Sequence, residues 1–541
     1  MPSTPTTKSQ VQAYRFVLRR MQSALVRKDA VMLHDPMRTH SRATIVGVVL
    51  SALAMVGFVI VGFFKPAPKP PDSGIVIGEP SGSVYVVAEN PKKLIPTFNL
   101  ASARLMLMAS QHGGEGGQAA AAESGGQPDE PEVVPDDQLK DIPRGRLQGI
   151  PNGPELLPAE DQLISTDWAV CDQIDINRDL PSGLARDSAE TTTAVFAGLK
   201  DLGRELTQNQ ALLVVAEDGK HHLIYRQGTD ENQPNANAVR AEVDMEDASV
   251  RRALELDPAM ARRISMGLLN AIPAVGELKA PTVPGAGETP DGFDVDGLPV
   301  GAVFAIERSN STEYYVITRS GTQPVTQAVA DMIRFSNTQG GGESVERVSP
   351  DVLTNAPSVG RNDPAYLDVD YYPPSVPTVL DPLKFPVGCL GWSVKGTGPQ
   401  RDAYTAVYVG AELPGPKDAQ GKPQLIDIGS PSPDNWKIDS FYMRPGFAAA
   451  VRSATTKDTF GRGNIQLISD RGMRYGIPST EIASGLGLNR LDPAPESIIK
   501  LLPVGASLNT QDVMRTFDAV PVDPDAGSFE EQGAAGAAGG N

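Results

Sequence analysis

The sequence predicts an α+β membrane protein. It has an N-terminal cytoplasmic amphipathic helix, a single transmembrane helix, and an elongated extracytoplasmic region of four small β-hairpin/helix repeats around a disulfide-linked β-rich core. Three observations predict it. Ala43 to Phe64 is a run of 22 residues without a charge. Beyond it, an apolar strand followed by a turn and a second short strand returns four times. The only two cysteines, Cys171 and Cys389, both lie past the apolar run.

The first element is a helix from about Gln10 to Leu33. Val11, Tyr14, Leu18, Met21 and Leu25 recur at three- and four-residue steps, with Arg15, Arg19, Arg20, Arg27 and Lys28 around the rest. Asp35-Pro36 is expected to stop it. Such a basic amphipathic helix lies on a membrane surface or docks on a partner, and the residues leave both open, with a plain solvated charged helix as the third reading.

Ala43–Phe64 is long enough, at about 33 Å of helix, to cross a hydrocarbon core. The residues before it carry a net charge of +6; with -18 for the whole chain, the remainder carries -24. By the positive-inside rule the N-terminus is cytoplasmic and the bulk of the chain lies outside. The competing reading, a cleaved signal peptide, needs a shorter apolar run ending in small residues; this one ends in Phe63-Phe64-Lys65-Pro66. The prolines of Lys65 to Pro71 then predict a stiff spacer.

The four runs are Val84–Pro91 with Leu94-Ile95-Pro96, Leu212–Gly219 with Leu223-Ile224-Tyr225, Tyr314–Gly321 with Pro324-Val325, and Ile465–Gly472 with Tyr475–Pro478. Each reads as a hairpin, and most pass into a helix. Each also has a Pro-bearing partner segment: Leu139–Pro143, Leu268–Pro273, Val352–Pro357 and Ile499–Pro503. Units this small bury their apolar faces only by packing together. The turn glycines are unevenly spaced, 102 residues from Gly219 to Gly321 and 151 from Gly321 to Gly472. The excess, Tyr371 to Tyr442, is expected to form a separate core with the segment around Cys171.

The expected segments are 1–42 basic helix, 43–64 membrane span, 65–80 spacer, 81–160 repeat one with a disordered insert at 111–135, 161–200 the first half of the core, 201–290 repeat two, 291–360 repeat three, 361–445 the second half of the core, 446–515 repeat four and 516–541 disordered tail. Ala280–Pro299 reads as a further low-complexity loop. A disulfide is the natural pairing for Cys171 and Cys389 in an oxidising compartment, with Trp168 and Trp392 as its packing; two unrelated buried thiols are the alternative.

Chemistry is sparse. No G-x-x-x-x-G-K-[ST] phosphate loop exists in the chain. Gly391-Trp392-Ser393-Val394-Lys395 has Lys where a nucleophile elbow needs its second Gly. Of the five histidines, His34 and His40 precede the span, while His112, His221 and His222 follow it; His221 and His222 are expected on opposite faces of a solvated hairpin edge, which spoils joint metal binding. Leu105-Met106-Leu107-Met108 reads as core filler. The acidic balance argues against nucleic acid. No catalytic, cofactor or metal residue is predicted. The alternative is a membrane-anchored envelope enzyme, an unconventional ATPase or a hydrolase with convergent acids; a third reading is a module that grips cell-wall polymer.

Several stretches resemble the EccB family, membrane components of actinobacterial type VII (ESX) secretion systems. They are Thr6–Val11, Arg15–Arg20, Asp35–Arg38, Ser41-Arg42, Asn99–Leu105, Gly149-Ile150-Pro151 and Arg474–Ile477. The resemblance implies a structural subunit of the inner membrane, crossing once. It also implies four outer repeats around a disulfide-bonded core and assembly with EccC, EccD and EccE to export WXG100-type proteins. Family members are described as ATPases, an activity for which this sequence has no phosphate loop.

Overall fold

The computed structural model describes residues 7–28, 36–64, 69–89, 91–112, 130–177, 179, 190–227, 238–309, 311–336, 345–429, 436 and 438–520. Two units divide at Lys69. Residues 65–68 of the expected spacer, 113–129 of the insert and 521–541 of the tail lie outside the described residues.

In the first unit, α1 (Lys8–Arg27) starts where the Thr7 N–H donates to the Gln10 Oε1 at 3.0 Å. It stops well before Leu33, because Lys28 takes a left-handed conformation (φ 57°) that breaks the helical ladder. Its apolar residues, among them Tyr14, Phe16, Met21 and Leu25, are exposed. Helix α2 (Pro36–Phe64) begins seven residues earlier than the apolar run, with proline at its first position, where a missing N–H costs nothing. Within it Arg42–Gly62 has a mean hydropathy of 2.7 and is long and apolar enough to cross a membrane.

The second unit opens with β1 (Gly74–Glu79), β2 (Val84–Glu89) and β3 (Lys92–Thr97), an antiparallel meander. Helix α3 (Leu100–His112) follows, then β4 (Glu132–Pro135), which returns parallel to β1, and the short α4 (Asp136–Leu139). Strand β1 thus occupies what reads as spacer, and α3 and β4 take both ends of the predicted insert. Strand β5 (Leu147–Gln148) leads into two central strands, β6 (Trp168–Asp175) and β7 (Glu190–Ala197), and then β8 (Arg204–Glu205).

The same wiring then recurs. Strands β9 (Gln210–Val215), β10 (His221–Arg226) and β11 (Ala238–Val243) form a meander, followed by α5 (Ala248–Ala253), β12 (Arg262–Arg263) parallel to β9, and α6 (Met266–Ala271). Next come β13 (Val303–Glu307), β14 (Thr312–Ile317), β15 (Thr322–Val325), α7 (Gln327–Ser336), β16 (Glu346–Arg347) parallel to β13, and α8 (Val352–Asn355). Strand β17 (Thr378–Val379) adds to β9, and β18 (Val387–Lys395), β19 (Asp402–Gly410), β20 (Ile426–Asp427) and β21 (Ser440–Tyr442) complete the central sheet. Last are β22 (Ala448–Ala454), β23 (Ile465–Ser469), β24 (Arg474–Ile477), α9 (Thr480–Gly485), β25 (Asp492–Pro495) parallel to β22, and α10 (Glu496–Ile499).

The Pro-bearing segments lock these sheets in one way. The third strand of each donates a backbone N–H to the proline carbonyl: Leu94 to Pro143 (2.9 Å), Arg240 to Pro273 (2.8 Å), Thr322 to Pro357 (2.7 Å) and Arg474 to Pro503 (3.0 Å). The same four residues accept in return from Gly145, Val275, Val359 and Gly505. Proline lacks a donor, so its carbonyl is the group left to make the outward bond.

The second sheet corrects the sequence reading by one strand. Leu212–Val215 belongs to β9, the first strand of its meander, whereas the other three runs are second strands. The hairpin β9–β10 by itself reads equally as a second and third strand, and the true third strand, β11, comes only after residues 228–237, which lie outside the described residues. Three further corrections follow from packing. Ala280–Pro299 carries buried Val283 and Val295 and is built into the fold. Tyr371 and Tyr372 lie with the second and third sheets, Tyr372 donating its hydroxyl to the Lys279 carbonyl at 2.6 Å, so the second half of the core begins later than residue 361. The predicted tail starts with β26 (Thr516–Phe517), paired to β5, with Phe517 edge-on to Phe98 at 5.3 Å.

Shared buried clusters set the order of the modules. One joins the third sheet to the second through α5 and α7, including Val250, Ala328, Val329 and Met332. A second runs from the second sheet through the central sheet to the fourth, where α6 meets α10. A third joins the fourth sheet to the first through α3 and α9, with Leu105 and Met106 buried in it as the sequence expects of core filler.

Candidate functional site

The central sheet is where chemistry-bearing residues converge. Its strand order is β20-β21-β7-β6-β18-β19-β8. Cys171 on β6 and Cys389 on β18 are direct cross-strand partners, joined by a disulfide across 218 residues of sequence. Trp168 and Trp392 are likewise opposite one another. They do not pack the disulfide. Three residues along a strand is an odd step, so the tryptophans face the cluster shared with the second and fourth sheets while the cysteines face Ala194, Phe196, Val387 and Leu413.

Next to Cys171 stands a buried polar joint. Asp172 is completely buried and accepts from the Ser265 backbone N–H (2.7 Å), the Ser265 hydroxyl (2.8 Å) and the Thr193 hydroxyl (2.8 Å). Arg262 on β12 donates to the carbonyls of Asp172 (3.2 Å), Phe385 (3.1 Å) and Pro386 (2.8 Å). Ser265 also caps α6, accepting from the Leu268 N–H. One joint therefore holds β6, β7, the entry to β18, β12 and α6 in fixed register. Burial pushes the Asp172 carboxyl above its ordinary value against the pull of those donors, and burial lowers the Arg262 guanidinium to about 10 despite Asp172 beside it. Both groups are enclosed in packing, which suits a structural clamp; the cavity that Arg262 lines holds only about 10 Å³. Sequence reasoning missed this joint, although an aspartate ending the apolar run Trp168-Ala169-Val170-Cys171 was the available signal.

Two arginines repeat a second device. Arg240 donates through Nε to the Ile272 carbonyl and through Nη2 to Asn270 Oδ1, both at 3.2 Å. Arg474 donates through Nε to Leu502 (2.9 Å) and through Nη2 to Lys500 (3.4 Å). Each ties the third strand of an inner sheet to the end of the helix, α6 or α10, that packs on the centre. Arg240→Met is expected to lower stability by about 1–3 kcal/mol, since buried carbonyls lose a charged donor; a urea unfolding midpoint unchanged from that of the unsubstituted chain would refute this.

The remaining candidates separate. Gly391-Trp392-Ser393 runs along β18 as ordinary strand, without an elbow. His221 and His222 do alternate across β10, but β10 is an inner strand, not a solvated edge, and His222 is buried with its Nδ1 unpartnered. Burial, then the nearby Arg240, lowers the His222 pKa from its ordinary 6.5. The unfolded chain therefore takes up this proton first as pH falls below 6.5, so stability drops there and the loss saturates once the folded form also protonates. His222→Leu is expected to flatten that part of the stability–pH curve; an unchanged slope counts against it. Among the described residues no group of three or more His, Cys, Asp or Glu is placed to hold a metal. His34 and the side chains of His40 and His112 lie outside the described residues.

Two of the stretches that carry the family resemblance touch. Asn99 donates to the Ile150 carbonyl (3.0 Å), and the Ile150 N–H donates to the buried Ser102 hydroxyl (2.9 Å). A Cβ at Gly149, whose φ is +124°, would lie 2.6 Å from Ser102, so only glycine fits there.

Comparison with known proteins agrees over most of the chain. Residues 3–522 match the family model described as type VII secretion system ESX-1, transport TM domain B. The chain is 29% identical to the ESX-3 secretion system ATPase EccB3 of Mycolicibacterium smegmatis, over 97% of this chain and 93% of that protein. It is 30% identical to ESX-3 secretion system ATPase EccB3 of Mycobacterium tuberculosis, over 96% and 90%. Among solved structures, a chain of the intact ESX-5 inner membrane complex superposes with a TM-score of 0.65 at 25% identity, covering 98% of this chain and 99% of that one. A chain of the periplasmic assembly of the ESX-5 inner membrane complex gives the same TM-score and identity over 86% and 100%. The relatives are named ATPases, a name that stands against the non-catalytic reading of this sequence. With its apolar helix, β-rich second unit and disulfide-bonded central sheet, the chain belongs to the EccB family of type VII secretion system components.

Proposed function

We propose that the chain is a structural, single-pass subunit of an ESX inner-membrane complex, its N-terminus cytoplasmic and its larger unit periplasmic. The observation that carries this reading is the family match from residue 3 to 522, which takes in the basic helix, the apolar helix and the outer sheets together. In this reading α1, whose apolar residues are exposed beside a cationic face, docks on the cytoplasmic side of EccC or EccD. The four sheets of common wiring act as repeats that associate laterally with copies of the chain and with EccE, shaping a periplasmic vestibule for WXG100-type proteins. The segment boundaries are then those of the sequence reading, moved as the fold requires: repeat one from 74, core strands within 168–205 and 387–442, and repeat four from 448.

Co-purification of the tagged full chain from gently solubilised membranes tests it. EccC, EccD and EccE are expected to accompany the chain, and deleting residues 1–28 is expected to release EccC or EccD while membrane insertion persists. Recovery only as a lone monomer would overturn the reading, as would protease protection placing the C-terminus in the cytosol. The relatives' names favour a second reading, an ATPase of unfamiliar type. ATP turnover by the purified full chain that one acidic substitution abolishes would establish it in place of the first.

A further inference from the structure

The fourth sheet carries a cleft of about 600 Å³ whose lining includes Arg452, Arg462 and Arg474 against one carboxylate, Glu481. In a chain of net charge -18 this is an unusual concentration of cations. Glu481 is ionised, its carboxylate held low by the Ser479 hydroxyl and by its own backbone N–H at the start of α9, and it offsets one of the three cations. Arg452 reaches only neutral oxygens, the Gly463 carbonyl (3.3 Å) and the Thr480 hydroxyl (2.9 Å). Arg462 is exposed and makes no side-chain hydrogen bond or ion pair among the described residues.

A second observation points the same way. Gln466 on β23 is 7% exposed, lines the cleft, and makes no side-chain hydrogen bond among the described residues. Its amide, open to the cleft, can hydrogen-bond a ligand that enters it. The loop that presents Arg462 and Asn464 is also fixed in place. The Ser453 N–H donates to the Asn464 carbonyl (2.9 Å), the Asn464 N–H returns to the Ser453 hydroxyl (3.1 Å), and a Cβ at Gly463 would lie 1.6 Å from the Ser453 carbonyl oxygen. Little ordering is left to be done on binding.

We propose that this cleft is a binding site for a small ligand bearing oxyanions, phosphate or carboxylate, with Arg462 and Arg452 facing the charge, Gln466 giving an amide hydrogen bond, and Arg474 adding to the positive field. Guanidinium forks match either oxyanion.

Titration of the full-length chain in detergent at low ionic strength with tripolyphosphate and, separately, tricarballylate tests it, both anions presenting repeated oxyanions at similar size. Saturable binding of at least one, tighter than about 1 mM, is expected, and the anion that binds identifies the chemical source. Arg462→Glu is expected to weaken it about tenfold or more with the thermal midpoint unchanged, since Arg462 supports no other contact. Gln466→Leu, which removes the amide while keeping the burial, is expected to weaken it as well. Binding of neither anion, or equal binding by the unsubstituted and Arg462→Glu chains, overturns the proposal.

Discussion

Asp172→Ala is expected to destabilise the second unit by about 3–5 kcal/mol, because it leaves the buried Ser265 and Thr193 donors without their acceptor and removes the negative charge near Arg262, whose own hydrogen bonds go only to carbonyls. Ser265 is also the cap of α6. The second sheet would then loosen from the centre. The double substitution Asp172→Ala/Arg262→Leu is expected to recover some of the loss, since the stranded charge is gone. Urea unfolding of the full chain in detergent reads both. Independent, additive effects of the two substitutions would show that they do not form one joint.

The second large effect concerns the disulfide. Cys171→Ala/Cys389→Ala opens a covalent loop of 218 residues, and chain entropy sets the loss on the order of 5 kcal/mol. The bond joins strands already paired along β6 and β18, so folded spectra are expected to persist while the unfolding midpoint falls. Unreduced chain is expected to take up no alkylating reagent at either position. A loss below about 1 kcal/mol would mean that the sheet, not the bond, holds the two halves together.

These two sites differ in how readable they were. The disulfide was the reading favoured by counting, since two cysteines, both past the apolar run, allow one pairing, with two unrelated thiols as the alternative. The joint was not readable, because Asp172, Thr193 and Arg262 are separated by up to 90 residues and nothing local to any of them names the others. The tryptophans show the same limit in miniature. Each is close to a cysteine along the chain, yet strand alternation sends residues an odd number apart to opposite faces.

The fold divides in the same manner. The apolar helix was legible because its length and apolarity are written in consecutive residues. The hairpins and Pro-bearing segments were legible because strand and turn preferences act within a few residues. The register of the second sheet was not, since β9–β10 and β10–β11 are both antiparallel pairs and only the parallel return of β12 to β9 tells which strand is first. The order in which sheets stack, the contact between Ser102 and Ile150, and the gathering of cations beside Gln466 likewise had no local sign.

By itself the sequence determined the apolar helix, the charge difference between the residues before and after it, the recurring strand-and-proline pattern and the family. Tertiary structure alone decided which faces meet: it buried Asp172 with Arg262, turned the tryptophans away from the cysteines and gathered Arg452, Arg462 and Gln466 around one cleft. The reason is the range of the forces involved. Hydropathy and backbone preference act on neighbours along the chain, whereas the desolvation of buried charges and the packing of sheet on sheet depend on residues that only folding brings together.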